Sequence, residues 1–188
     1  MQVTKTPRLG LQIIIPQVIP DHRGYFEETY HEEKLAKLGI HNRFVQENQS
    51  FSRQGSVRGL HYQLAPHTQA KLVRVLAGEI WDVVVDLRQG APTFGQWEGV
   101  RLSAENKKQL LIPKGYAHGF AVLSEQAMVL YKCDAFYHPT AEAGIHFLDP
   151  TLAIDWKLPM HPPIISAKDQ QLPNFRDAIM NSTAAPHD

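Results

Sequence analysis

Apolar and polar residues alternate along most of this chain in short runs, and Gly, Pro, Asn or Asp breaks the runs apart. A period of two marks strands, whose successive side chains point to opposite faces of a sheet. The pattern predicts strands over residues 11–15, 25–30, 44–52, 57–63, 71–76, 80–87, 97–102, 109–112, 118–123, 127–133 and 145–148. Pro16 closes the first of them, and a proline there predicts a sheet edge. Pro20, Asp21 and Gly24 predict a turn. Ala77-Gly78-Glu79 predicts a short hairpin joining the strands on either side. Residues 32–38 alone among the early segments have helical character: Glu33 precedes Lys37 by one turn, and Gly39 is placed to cap the end. Ser166, with Asp169 three positions later, predicts one terminal helical turn. Residues 149–156 read as irregular, 159–163 as proline-rich, and 181–188 as a small, polar, frayed tail. Many short strands with Gly/Pro turns argue a mainly β sandwich or barrel, a single domain over residues 1–188, with an interior able to hold one small ligand.

Composition narrows the class. A chain of 188 residues, 43% of them hydrophobic, can bury a real core. Nineteen basic and nineteen acidic residues cancel, so no basic footprint argues for nucleic acid. The single cysteine, Cys133, excludes an internal disulfide framework and fits a reducing compartment. No apolar run approaches the ~20 residues of a membrane span, and the N-terminus lacks the pattern of a signal peptide. The expectation is a soluble, cytoplasmic protein with no membrane partner.

Candidate chemistry concentrates in residues 57–82, VRGLHYQLAPHTQAKLVRVLAGEIWD. Arg58, His61 and Lys71 lie in strand patterns, where charge is costly unless it is paired or lines a cavity. Arg58 and His61 have opposite parity, so a regular strand sends them to opposite faces. Gly59 between them permits a bulge that re-aims one. Lys71 shares parity with Val73 and Val75, though parity cannot name the inner face of a sheet buried on both sides. Taken alone, each has an ordinary reading: a packed strand histidine, an outward arginine, an exposed strand-end lysine. Metal chemistry fails on ligands, because His61 begins no His-x-His, Glu79 sits in a turn, Lys71 opposes a cation, and His118 alone does not make a set. No phosphate loop or nucleophile elbow is present. Acid–base work remains, with an imidazole of reference pKa roughly 6.5 at His61 and phenols at Tyr131 or Tyr137, near ~10, as acids. A base, a phenol and cations suit proton abstraction beside a carbonyl, with the cations stabilising the enolate.

Several ordered motifs go further. DHRGYFEETY, FVQENQS, RGLHYQ, KLVRVLAGEIWDVVVDLR, LSAENKKQLLIPKGYAHGF, LYKC and DPTLAIDW, spanning about residues 21–169, resemble the dTDP-4-dehydrorhamnose 3,5-epimerase family. The resemblance implies a cupin-type jelly-roll barrel with a few short helices, a homodimer, no metal or other cofactor, and a place in dTDP-rhamnose and O-antigen biosynthesis. It implies inversion of both carbons flanking the ketone of a dTDP-4-keto-6-deoxy sugar. By matching motifs His61 resembles the base, Asp169 the carboxylate that orients it, Tyr131 the acid on the opposite face, and Lys71 and Arg58 the cations around the sugar and enolate. Arg23, Phe26, Glu28, Gln46, Asn48, His118, Glu142 and Lys168 resemble ligand contacts, and Tyr137 a platform for the thymine ring. Arg23, Phe26 and Glu28 are expected to serve a neighbouring subunit's site through an N-terminal strand. Ala70 departs from a common family glycine just before Lys71. Two other readings are a relative that inverts one carbon and a non-catalytic sugar-nucleotide-binding barrel. A metal-dependent oxygenase of the same fold fails on ligands.

Overall fold

The computed structural model describes residues 1–158 and 162–183. Its strands, in chain order, are β1 (Gln2–Lys5), β2 (Gln12–Ile15), β3 (Val18–Asp21), β4 (Gly24–Glu27), β5 (Gln46–Arg53), β6 (Val57–Gln63), β7 (Lys71–Ala77), β8 (Glu79–Asp86), β9 (Trp97–Ser103), β10 (Gln109–Ile112), β11 (Tyr116–Val122), β12 (Gln126–Cys133) and β13 (Glu142–Gly144). The helices are α1 (Glu32–Lys37), α2 (Ala167–Gln170) and α3 (Phe175–Thr183). Two antiparallel sheets face each other, one ordered β1-β2-β10-β7-β12-β5 and the other β13-β6-β11-β8-β9. β3 and β4 form a separate hairpin. The mainly β sandwich expected from the alternation is what forms.

Apolar residues fill three layers. Val73, Val75, Ile80, Val84, Leu110 and Val129 pack between the sheets. Ile14, Leu72 and Leu111 point out of the six-stranded sheet and meet Leu35 and Ile40 of α1 and its exit. Val83, Val85, Ala117 and Ala121 point out of the five-stranded sheet and are covered by Phe147, Leu152, Trp156 and Phe175. Burial on both faces explains why β8 reads as a continuous apolar run rather than an alternation. α1 ends as Gly39 predicts, with backbone bonds from Gly39 to Ala36 and from Ile40 to Leu35.

Four expectations are corrected. β2 is not an edge, because β1 pairs with it on one side and β10 on the other. Pro16 falls just beyond the strand, where its missing N–H costs no ladder bond. β7 and β8 do not form a hairpin: β7 pairs with β10 and β12, β8 with β9 and β11. The turn signal at residues 77–79 marks a sharp corner and cannot say whether the flanking strands pair. Gly78, at φ +76°, carries the chain from one sheet to the other, where a Cβ would stand 2.0 Å from the Gln126 carbonyl oxygen. The strand expected at 145–148 lies earlier, at β13, where Glu142 faces Gln63 and Gly144 faces His61. Ile145 and Phe147 made the apolar signal, but their side chains pack into the outer layer. The strand expected at 25–30 stops at Glu27, after which the chain enters α1. α3 was not foreseen and runs through part of the expected tail; residues 184–188 lie outside the described residues, as do 159–161 of the proline-rich stretch.

Candidate active site

The site is built where the apolar filling between the sheets gives way to polar residues. On β6, three residues span two of β11: His118 pairs with His61, and Phe120 with Arg58. This is the bulge that Gly59 permits. Gly59 takes φ +110°, and a Cβ there would lie 2.6 Å from both the Gly119 Cα and the His118 carbonyl oxygen. Arg58 and His61 therefore line one chamber despite their opposite parity. The Arg58 Nε donates to Ser52 Oγ at 2.9 Å, and its Nη2 to the Phe51 carbonyl at 3.2 Å.

His61 Nε2 lies 2.7 Å from Asp169 Oδ1. The other carboxylate oxygen accepts the Gly59 N–H at 3.3 Å. Asp169 is fixed by the predicted helical turn, its N–H donating to Ser166 Oγ, the N-cap of α2, at 3.0 Å. Burial alone would raise the Asp169 pKa, but the bonds to His61, Gly59 and Ser166 outweigh it and hold the carboxyl below its ordinary value.

Tyr131 enters from the opposite sheet, on β12, paired across to Asn48 on one side and Val73 on the other. Burial is the main cause that raises its pKa, with Arg58 pulling the other way, so the phenol keeps its proton at neutral pH. Lys71 faces inward with Val73 and Val75, against the ordinary reading of an exposed lysine. Its ammonium stands 6.0 Å from the Tyr131 ring centroid and has no hydrogen-bond or ion-pair partner among the described residues. Burial lowers its pKa, opposed by Cys133, Asp82 and Glu142. Ala70 before it takes no positive φ and donates its N–H to Asp134 at 2.7 Å, so the departure from glycine leaves Lys71 in a regular strand. His118 forms the back wall, its Nε2 2.9 and 3.1 Å from the two carboxylate oxygens of buried Asp82.

The chamber holding Ser50, Arg58, His61, Lys71, His118 and Tyr131 measures about 200 Å³. Two further hollows share His61 with it. One, about 210 Å³, is lined by Gln46, Asn48, Tyr137 and Glu142. The other, about 390 Å³, lies along Arg58, Glu142, Lys168 and Asp169. At their junction Glu142 accepts from the Tyr137 hydroxyl at 2.5 Å and from Lys168 Nζ at 2.6 Å. That bond raises the Tyr137 pKa and the Lys168 pKa, while the Glu142 carboxyl, though partly buried, is held low by both partners. Gln46 ties the Tyr137 backbone in at 2.8 Å and donates to Asn48 at 3.1 Å.

Arg23, Phe26 and Glu28 do not join this group. They lie on or beside the β3–β4 hairpin, and none lines the three hollows. Phe26 is 66% exposed, Arg23 pairs with Asp21, and Glu28 pairs with Lys34. The sequence reading missed Ser50, Ser52 and Asp82. The two serines share parity with Gln46 and Asn48, a signal that was available. Among the described residues no three His, Cys, Asp or Glu side chains come together as a metal-binding group, and no helix is long and apolar enough to cross a membrane.

Two sheets close around a His–Asp pair, a phenol and an ammonium that is unpaired among the described residues, and the chain is an isomerase on a cupin-type barrel. The chain belongs to the dTDP-4-dehydrorhamnose 3,5-epimerase family, whose model matches residues 5–177. It is similar to the dTDP-4-dehydrorhamnose 3,5-epimerase of Pseudomonas aeruginosa, 50% identical over 178 residues, 93% of this chain and 97% of that one. It is also similar to a solved dTDP-6-deoxy-D-glucose-3,5-epimerase of Legionella pneumophila in complex with dTDP-4-keto-L-rhamnose, at 51% identity and TM-score 0.88 over 93% of each chain. A Streptomyces niveus protein named dTDP-4-dehydrorhamnose 3-epimerase is 41% identical over 180 residues, 94% of this chain and 86% of that one.

Proposed function

We propose that this chain is a dTDP-4-dehydrorhamnose 3,5-epimerase that inverts C3 and C5 of dTDP-4-dehydro-6-deoxy-D-glucose. The carrying observation is that His61, held by Asp169, and Tyr131 come from opposite sheets of one chamber with an unpaired Lys71 beside them. His61 takes the proton from the carbon beside the ketone, and the electron pair moves onto the ketone oxygen. Lys71 stabilises the enolate with a full charge in a water-poor site. Tyr131 then returns a proton to the opposite face of the same carbon, and solvent resets both groups. The second carbon follows after the ring turns to present it. Arg58 and Lys168 bind the diphosphate, and Gln46, Asn48, Tyr137 and Glu142 the thymidine end.

The reading includes a cytoplasmic homodimer of single-domain chains. Ile19 and Phe26, paired across the β3–β4 hairpin, give it an exposed apolar face, 53% and 66% accessible, as docking on a second copy requires. Arg23, Phe26 and Glu28 then reach the neighbour's nucleotide.

Proton NMR of the 4-keto sugar nucleotide in deuterium oxide tests the proposal. Exchange at C3 and C5 is expected. Exchange at one carbon assigns the single-carbon reaction that the 3-epimerase relative makes the runner-up. Exchange at neither leaves a binding protein.

A further inference from the structure

β5 turns an unusual face to the site. Gln46, Asn48, Ser50 and Ser52 point inward, while Phe51 points out and is 52% exposed. Three of the inward four have assigned work. Gln46 and Asn48 bond each other, Gln46 also holds Tyr137, and Ser52 holds the Arg58 guanidinium. Ser50 does not: its Oγ is buried and has no protein hydrogen-bond partner among the described residues. A buried hydroxyl without a partner is disfavoured against alanine, which the same strand geometry accepts equally well.

The surroundings say what the hydroxyl faces. Ser50 lines the reaction chamber with Lys71, His118 and Tyr131. Along β5 it lies between Asn48, opposite Tyr131, and Ser52, which holds Arg58. Charged oxygens of a ligand go to the cations Lys71 and Arg58, which bind them far more strongly than a neutral hydroxyl does. A serine, at once donor and acceptor, matches a neutral hydroxyl. The hexose of the proposed substrate carries neutral hydroxyls only at C2 and C3, and the C3 hydroxyl is beside its ketone.

We propose that Ser50 hydrogen-bonds a ring hydroxyl of the hexose and sets the enzyme's preference for hydroxylated over deoxygenated rings. The proposal rests on the epimerase reading above. A site built to pair a substrate hydroxyl rejects the analogue lacking it, because the protein group is then left buried and unpaired.

The test crosses two Ser50 variants with three substrates: the dTDP-4-keto-6-deoxyhexose and its 2-deoxy and 3-deoxy analogues. Deuterium incorporation at C5 is the common readout. Ser50→Ala should lower kcat/KM on the parent substrate by about 10- to 100-fold. On the analogue missing the paired hydroxyl, wild type and variant should agree within about twofold, and the position of that hydroxyl names the contact. Ser50→Cys, of similar shape but a weak donor, should fall between. Affinity for dTDP alone should not move, and the melting temperature of the free Ser50→Ala enzyme should hold or rise, because alanine removes a buried hydroxyl that lacks a partner among the described residues. Equal losses on all three substrates, or no loss on the parent, overturn the assignment of Ser50 alone. No exchange by the wild-type enzyme on the parent substrate overturns the epimerase reading, and the assignment with it.

Discussion

Asp169→Asn removes the charge behind His61 with almost no change in shape. When His61 takes the substrate's proton it becomes an imidazolium, and Asp169 stabilises that product of the step. Nε2 and Oδ1 are 2.7 Å apart, which puts the charge centres roughly 4 Å apart, worth about 1 kcal/mol in water and about 4 at an effective dielectric of 20. The His61 side chain is 31% exposed and that of Asp169 only 6%, so the drier limit has more weight. A loss of about 2–4 kcal/mol corresponds to roughly 30- to 1000-fold in kcat. A second effect adds to it. Gly59 donates its N–H to the other carboxylate oxygen, so the asparagine keeps its oxygen there and turns its NH₂ toward His61. Nε2 must then accept, Nδ1 carries the proton, and the base is lost to the wrong tautomer. Single-turnover deuterium incorporation measures the chemical step, and titration calorimetry with dTDP measures binding, which should stay within about threefold of wild type. A kcat within about threefold of wild type, or a loss of rate matched by a loss of dTDP affinity, refutes the dyad. The same carboxyl links to stability. Its folded pKa lies below the ordinary 3.8, so its contribution is present above that value and fades as pH falls through the depressed one. The asparagine variant should lack that acid-side loss.

Lys71 must carry its charge to stabilise the enolate; burial lowers its pKa below the ordinary 10.5, while burial raises that of Tyr131 above its ordinary 10.0. The alkaline limb of kcat/KM belongs to Lys71 on this account; Lys71→Arg should carry the limb upward out of range, and an unmoved limb assigns it elsewhere. Tyr131→Phe should let C–H exchange proceed through His61 on one face while net inversion falls, and an unchanged inversion rate removes its role as acid. Gly59→Ala forces a Cβ to 2.6 Å from the β11 backbone at φ +110°; a loss of about 2–5 kcal/mol is expected, read as a urea midpoint shift at constant slope. If Arg23 acts across a dimer, mixing inactive His61→Ala with Arg23→Ala and letting subunits exchange restores activity toward about a quarter of wild type, since half the dimers carry one intact site. No recovery removes the role of Arg23 across the dimer.

How much of this was legible depends on range along the chain. Residues 57–63 read correctly to the residue, and Gly59 between two charges of opposite parity announced the bulge, because strand periodicity and glycine are local signals. Lys71 on the parity of Val73 and Val75 was also local, but choosing the inner face needed the partner layers, which place Leu72 outward under α1. Sheet membership was not local at all. The Ala-Gly-Glu corner has the composition of a hairpin turn, yet Gly78 separates strands of different sheets. Asp169 stands 108 residues from His61, and no pattern in either segment points to the other; only the motif resemblance joined them. α3 had a readable signal, Phe175, Ala178 and Ile179 at helical spacing, masked by the polar residues around it.

β5 shows why the rule of hydrophobic side inward fails where it matters most. Applied to residues 46–53 the rule turns Phe51 inward and the serines out, the reverse of the structure. The inward row is polar because a ligand replaces the core at this end. That removes apolar packing from the space between the sheets and leaves Lys71 unpaired among the described residues and His118 with Asp82 buried, all unfavourable to the fold. The loss is offset on the outer faces. α1 covers Leu72 and Leu111, and the segment from Phe147 through α3 covers Val83 and Val85. Asp149 ties that segment down, accepting N–H groups from Thr151, Leu152 and Phe175. A barrel with both outer faces dressed in apolar residues can leave one end of its interior to charged chemistry, and the same dressing erases the alternation in β8 that would otherwise reveal which face is inside.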